Sequence, residues 1–130
     1  MRMPLALYGV VLSLCIVPIL SAQDAAKVDP KHYTVMSENE HVRILKVHYG
    51  PHEKSVMHSH PAGVAVFLTD SKARFTFPDG KTEDVAMKAG DAQYTASTIH
   101  LPENIGENGM DVIVIEFKSH AAKPAKTEMK

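Results

Sequence analysis

Cysteine is nearly absent from this chain of 130 residues, tryptophan is absent, and aromatic residues make up only 6%. A single thiol excludes an internal disulfide and any Cys-x-x-Cys zinc or redox motif. An excess of charge is missing too: 14 basic and 15 acidic side chains leave a formal charge of −1. A nucleic-acid partner would call for a basic patch, and none is expected here. There is no Gly-x-Ser-x-Gly elbow and no glycine-rich phosphate loop, which removes the common serine-hydrolase and nucleotide-binding signatures. Helical periodicity is lacking after residue 30, so a helical bundle is excluded. What remains is a chain with the composition of an ordinary globular protein, 45% hydrophobic and 22% charged, and the length of one domain.

One long apolar run is present. Residues 3–20 carry no charge, Arg2 precedes them, and Ser21-Ala22-Gln23 follows before the chain turns polar at Asp24. Charge, apolar run and small residues, in that order, make a secretory signal peptide. A transmembrane anchor competes, because the run is just long enough to span a bilayer. Pro4 and Pro18 near its ends, and the small residues after it, favour cleavage. Cys15 follows Leu14 and is followed by further apolar residues, which is not a lipoprotein pattern. The expectation is a leader over residues 1–22 and a secreted or periplasmic mature protein, with no membrane association after cleavage. Cys15 would leave with the leader, so stability would rest on burial and on any bound metal.

The rest reads as strands. Residues 41–49 are rich in β-branched and aromatic side chains and stop at Gly50-Pro51. Residues 63–69 form a short apolar run, expected to be buried on both faces. Residues 72–77 and 81–87 flank Pro78-Asp79-Gly80, a hairpin with its own turn chemistry. Lys88-Ala89-Gly90-Asp91 is another turn, and residues 111–118 form the clearest strand, expected to be central. In that strand Ile113 and Ile115 share one face, and Val112 and Val114 the other, so burial on both sides is expected. Short strands at this spacing suggest a sandwich or closed barrel. The expected organisation is a loose lead-in over residues 23–30, a folded barrel over 31–118 and a flexible Lys- and Ala-rich tail over 119–130.

Eight histidines carry the chemical signal. His58 and His60 stand two apart, so on a strand both rings point to one face and can reach one metal ion. Alone, His-x-His is a weak sign. Its surroundings add to it. The stretch from Tyr49-Gly50-Pro51 through His58-Ser59-His60-Pro61 resembles the first motif of the cupin superfamily, a turn followed by His-x-His and proline. The stretch from Gly90-Asp91 through His100-Leu101-Pro102-Glu103-Asn104 resembles the second, in which a histidine precedes an asparagine by four. The resemblance covers about residues 40–118. It departs where cupins place a metal-binding glutamate, since Val64 and Ala65 stand there. The turn glycine is replaced by His52, and the second-motif turn by Ala96-Ser97-Thr98.

The resemblance implies an all-β, double-stranded β-helix (cupin) barrel, with His58, His60 and His100 as the metal ligands and a homodimer as its assembly. The interior would be apolar, with Val64, Val66, Leu68, Ile113 and Ile115 as candidates. Three neutral imidazoles suit a divalent ion, with Fe, Zn, Mn, Ni and Cu not distinguished. Without a carboxylate ligand the ion keeps its full charge, which favours a small anionic partner. His48 and His52 are candidates for a supporting partner or a fourth ligand, and Glu53, Gln93, Glu103 and Glu116 for the missing carboxylate. Of these, Glu116 is the one expected to be buried if it faces inward. Tyr94 is placed either on the cavity wall or in the core, and Met57, Met87 and Met110 are read as packing residues. His41 and His120 are expected to play no part in the site. Two functions are open: an enzyme acting on a small molecule, dioxygenase-like with iron or water-activating with zinc, and a binding module for a metal or small ligand without turnover. A metal-free structural barrel is a third.

Overall fold

The computed structural model describes residues 23–119. The expected leader over residues 1–22, with Cys15, and the expected tail beyond Ser119, with His120, lie outside the described residues. The order of elements is α1 (Ala25–Val28), β1 (Tyr33–Glu38), β2 (Val42–Tyr49), β3 (His58–His60), β4 (Gly63–Phe67), β5 (Ser71–Thr76), β6 (Thr82–Met87), β7 (Ala92–Thr95), β8 (Thr98–Asn104) and β9 (Met110–Phe117). They form a five-stranded sheet in the order β1-β2-β9-β4-β7 and a four-stranded sheet in the order β3-β8-β5-β6. All named pairs are antiparallel. Among the described residues no helix is long and apolar enough to cross a membrane.

The strongest sequence signals became the backbone of this arrangement. β9 is central, paired along its whole length with β2 and again with β4. β5 and β6 form the expected hairpin, closed by the Gly80 amide donating to the Phe77 carbonyl at 2.9 Å, with Gly80 at φ 84°. Gly63 serves closeness. A Cβ there would sit 2.1 Å from the Ile115 carbonyl oxygen, so only glycine lets β4 lie against β9 at that point. His52, at the turn after Pro51, adopts φ 59°, the left-handed conformation that glycine would take more easily.

Inner and outer faces alternate, and the expected interior was one residue out of step. Leu45, Val47 and Tyr49 of β2 point inward, opposite Val114, Val112 and Met110 of β9. From β4 it is Ala65 and Phe67 that enter the core. Val64, Val66, Ile113 and Ile115 therefore lie on the outer face, half-buried, and Leu68 is 50% exposed. Neither residues 63–69 nor β9 is fully buried on both sides. Both faces of these strands are apolar in sequence, so hydrophobicity alone does not set which face turns inward.

Nor is the lead-in loose. Asp24 caps α1 by accepting from the Ala26 amide at 2.9 Å, Ala25 is fully buried, and the Ser59 amide donates to the Gln23 carbonyl at 2.7 Å. This segment thereby covers the free edge of β3.

Candidate metal centre

β3 delivers His58 and His60 from one strand face, and β8 places His100 directly opposite His58 in the ladder. The three ring centroids lie 4.8, 5.2 and 5.4 Å apart, and one ring nitrogen from each falls within 4.8 Å of the others. The three candidates named from sequence are thus brought together.

Hydrogen bonds fix which nitrogen His58 and His60 offer. His58 is fully buried, and its Nδ1–H donates to the Val56 carbonyl at 2.8 Å. Its Nε2 is left as a bare acceptor with no partner. His60 Nδ1–H donates to Glu116 Oε1 at 2.8 Å, which turns its Nε2 edge the other way. His100 Nε2 is also buried without a partner. Two orphaned nitrogens within one cluster are costly in a folded protein, about 1–3 kcal/mol each, and call for an explanation. An electron-pair acceptor between the rings would satisfy both. The electrostatics agree. Burial, then repulsion from His60, lowers the His58 pKa to about 4. Burial, then repulsion from His60 and His58, lowers that of His100 to about 3. Both rings are therefore neutral at pH 7, the form a metal requires. The donor set fits a divalent ion.

Behind each ring stands a different support. Glu116, 2% exposed, takes His60 on one oxygen and Arg43 Nε on the other at 2.7 Å, while Arg43 also grips Asp24 at 2.6 and 3.0 Å. Glu116, expected to be buried only if it faced inward, does face inward, on the strand face opposite to the Ile113 and Ile115 placed inside from sequence, and it orients His60 rather than filling the Val64/Ala65 position. Behind His58, Ser55 Oγ lies 3.3 Å from Nδ1 and donates to Asp29. Asp29 also accepts from His32 Nδ1 at 2.7 Å, and His32 Nε2 bonds Glu53 at 2.8 Å. Burial pushes the Asp29 carboxyl up, but the bonds from Ser55 and His32 outweigh it and hold it below the usual range. Sequence reasoning missed Asp29, His32 and Tyr33. The only local signal was the Asp29-Pro30 turn, and nothing in it reveals a reach to β3. Tyr33 packs its ring edge-on to His58 at 4.9 Å and bonds the Tyr49 hydroxyl at 2.7 Å. Phe75 stacks on His100 at 5.0 Å.

The other candidates lie elsewhere. His48 and His52 are exposed and bonded to Asp111 and Glu107 at 2.9 and 3.0 Å, so neither supports the cluster. Their strand and turn positions point them to solvent. Glu53 is occupied by Lys31, His32 and the Gly50 amide. Glu103 pairs in register with Arg74 on β5, and Gln93 reaches only the cavity wall. Tyr94 is 67% exposed on the outer face, neither wall nor core. Asn104 does not hold His100. Its amide donates to the carbonyls of Gly50 and Asn108 at 3.0 and 2.8 Å and ties two loops together. Met110 is buried and Met87 packs against the core.

The barrel is hollow. A cavity of about 380 Å³ opens beside the cluster, with His60 and His100 in its wall and His58 behind them. Much of the remaining wall is aliphatic or aromatic, and no lysine or arginine among the described residues lines it.

Comparison with known proteins places this geometry. No protein-family model matches the sequence, and no curated protein matches it. Solved structures do match the fold. A cupin domain from Bordetella pertussis Tohama I is 21% identical, with a TM-score of 0.62 over 67% of this chain and 92% of that one. A RmlC-like cupin with a double-stranded β-helix from Methanocaldococcus jannaschii is 17% identical, with a TM-score of 0.53 over 65% and 77%. A cupin superfamily protein from Desulfitobacterium hafniense DCB-2 is 13% identical, with a TM-score of 0.51 over 67% and 76%. The chain therefore has the double-stranded β-helix fold of cupins, the fold read from its two motifs.

Proposed function

We propose that this protein is an exported metal-binding cupin, in which His58, His60 and His100 hold one divalent ion at the wall of a cavity that admits a small molecule. The observation that carries the reading is the pair of orphaned, buried Nε2 atoms of His58 and His100 beside a His60 ring already oriented by Glu116. A bound ion would act as a Lewis acid toward a ligand atom in the cavity. The protein's own part is to orient the His58 and His60 rings through the Val56 carbonyl and Glu116, and to pack Tyr33 against His58 and Phe75 against His100. The metal is one of Fe, Zn, Mn, Ni and Cu.

Binding without turnover is the second reading, and one observation favours it. Among the described residues no free base stands at the cluster: Glu116 is engaged by Arg43, and burial raises the Tyr49 hydroxyl to about 12 and that of Tyr33 well above its ordinary value. Both phenols keep their protons at neutral pH.

Export rests on the residue 1–22 pattern. The reading includes a homodimer through the outer face of the larger sheet, where Ile44, Ile115, Val64 and Tyr94 run in register across four strands. Sedimentation equilibrium of the wild type against Tyr94→Lys tests it, a monomeric wild type excluding it. The metal reading is tested by elemental analysis of protein purified from its exported compartment, alongside cobalt(II) titration. One equivalent bound by the wild type, and sharply less by each of His58→Ala, His60→Ala and His100→Ala, supports it. Full binding by all three variants overturns it.

A further inference from the structure

We infer that the cavity takes an uncharged, largely apolar molecule of one or two rings, which directs an oxygen toward the imidazoles. The inference rests on the metal reading only for that oxygen's destination; the shape and polarity of the wall carry the rest. The wall contains Phe67, Phe75 and Phe77 together with Val47, Val112 and Val114. Phe75 lies nearly parallel to the His100 ring, at 17°. That stack is already closed, its centroids 5.0 Å apart, so an entering molecule meets the rest of the aromatic and aliphatic wall and not the space between those two rings. Size agrees. A dry apolar cavity of about 150 Å³ holds one benzene, and this one is about 380 Å³.

The wall itself disfavours the anion expected from sequence, whatever an ion at the cluster would add. An anion entering the barrel would lose its hydration and find no lysine or arginine among the described residues of the wall. The one formally charged carboxylate on the wall is Glu83, from the exposed part of β6, and it repels an anion. Arg43 sits behind Glu116, where it is already paired with two carboxylates. The phenols of Tyr33 and Tyr49 bond each other, with one O–H donating and the other left over as a neutral donor. The polar groups on the wall besides the imidazoles and Glu83 are neutral ones, the hydroxyls of Thr95, Ser97 and Thr98 and the Gln93 amide among them, which suits an uncharged oxygen.

The test pairs 2-naphthol with 2-naphthoate, equal in ring system and different in charge, on metal-free protein at pH 7. The chain has no tryptophan, so naphthol emission is read without interference. Saturable binding of 2-naphthol at least ten-fold tighter than 2-naphthoate is expected, with perturbed methyl resonances at Val112 and Val114. Equal or tighter binding of the naphthoate, no saturable naphthol binding, or perturbations confined to the outer-face Val64 and Val66 overturns the inference. Val112→Trp, which fills the cavity, should abolish naphthol binding and leave cobalt binding in place. Should that variant not fold, the methyl map of the wild type decides alone. Cobalt titration run in parallel separates the two proposals. Cobalt bound without naphthol sinks only the ligand class, and naphthol bound without cobalt sinks only the metal reading.

Discussion

The two faces of β4 and β9 are almost equally apolar in sequence, yet they do different work. The inner face carries Ala65, Phe67, Val112 and Val114 along the core and cavity, and ends at Glu116 behind His60. The outer face carries Val64, Val66, Ile113 and Ile115, which are half-buried and take no part in the core. What separates the faces is a single buried carboxylate. Glu116 must lie inward because both its oxygens have partners there and burying it unpaired would be prohibitive. Once Glu116 is inward, alternation forces Val114 and Val112 inward and Ile115 and Ile113 outward.

The largest test of this arrangement is at Gly63. Its added Cβ would meet the Ile115 carbonyl, a backbone atom that cannot move without breaking the β4–β9 ladder. Gly63→Ala should cost about 4 kcal/mol or more, the exceptional range for one substitution, read by denaturant unfolding. A loss under about 1 kcal/mol would mean β4 does not lie against β9 here. Next comes Glu116. Glu116→Ala leaves Arg43 and His60 without their shared partner and should cost about 3–5 kcal/mol. Glu116→Gln, which still accepts one bond, should cost less and reduce cobalt affinity by about ten- to a hundred-fold through loss of His60 orientation. Unchanged affinity in Glu116→Gln would remove its orienting role.

The faces themselves are compared by matched truncations. Leu45→Ala removes a fully buried side chain opposite Val114 and should cost about 2–5 kcal/mol. Ile115→Ala, on the outer face, should cost about 1 kcal/mol at a protein concentration too low for association. Equal losses in the monomer would put Ile115 inside and reverse the faces.

Much of this was legible in advance, and the reasons differ by element. The fold was readable because turn residues at Pro78-Asp79-Gly80 and Gly90-Asp91 punctuate β-branched runs, and because two motifs frame the histidines. The cluster was readable because period-two spacing puts His58 and His60 on one face whatever the fold. The inward face of β4 and β9 was not readable from those strands alone. The polar alternation of Lys46 and His48 in β2 held the missing information, but only through the β2–β9 register, which is a long-range fact. Asp29 and His32 were hidden for the same reason: they meet Ser55 and Glu53 only after the chain has closed on itself.

A gentler effect follows from protonation. His58 and His100 have folded pKa values of about 4 and about 3, both below the ordinary histidine value. The unfolded chain therefore binds more protons between those values and about 6.5, so metal-free stability rises with pH across that window. It should be complete above pH 6.5 and decline as the pH falls toward 4 and then 3, by a few kcal/mol in total. His58→Ala should flatten part of that slope, and a wild-type profile flat from pH 7 to 4 would contradict the burial of the two rings.

The central claim is that three imidazoles form one metal site, and anomalous diffraction at the absorption edge of the bound metal addresses it directly. Crystals grown with cobalt(II) should show one strong anomalous peak within bonding distance of His58, His60 and His100. A peak on the exposed His48–Asp111 or His52–Glu107 pairs with none at the cluster, or no ordered peak at all, would contradict it.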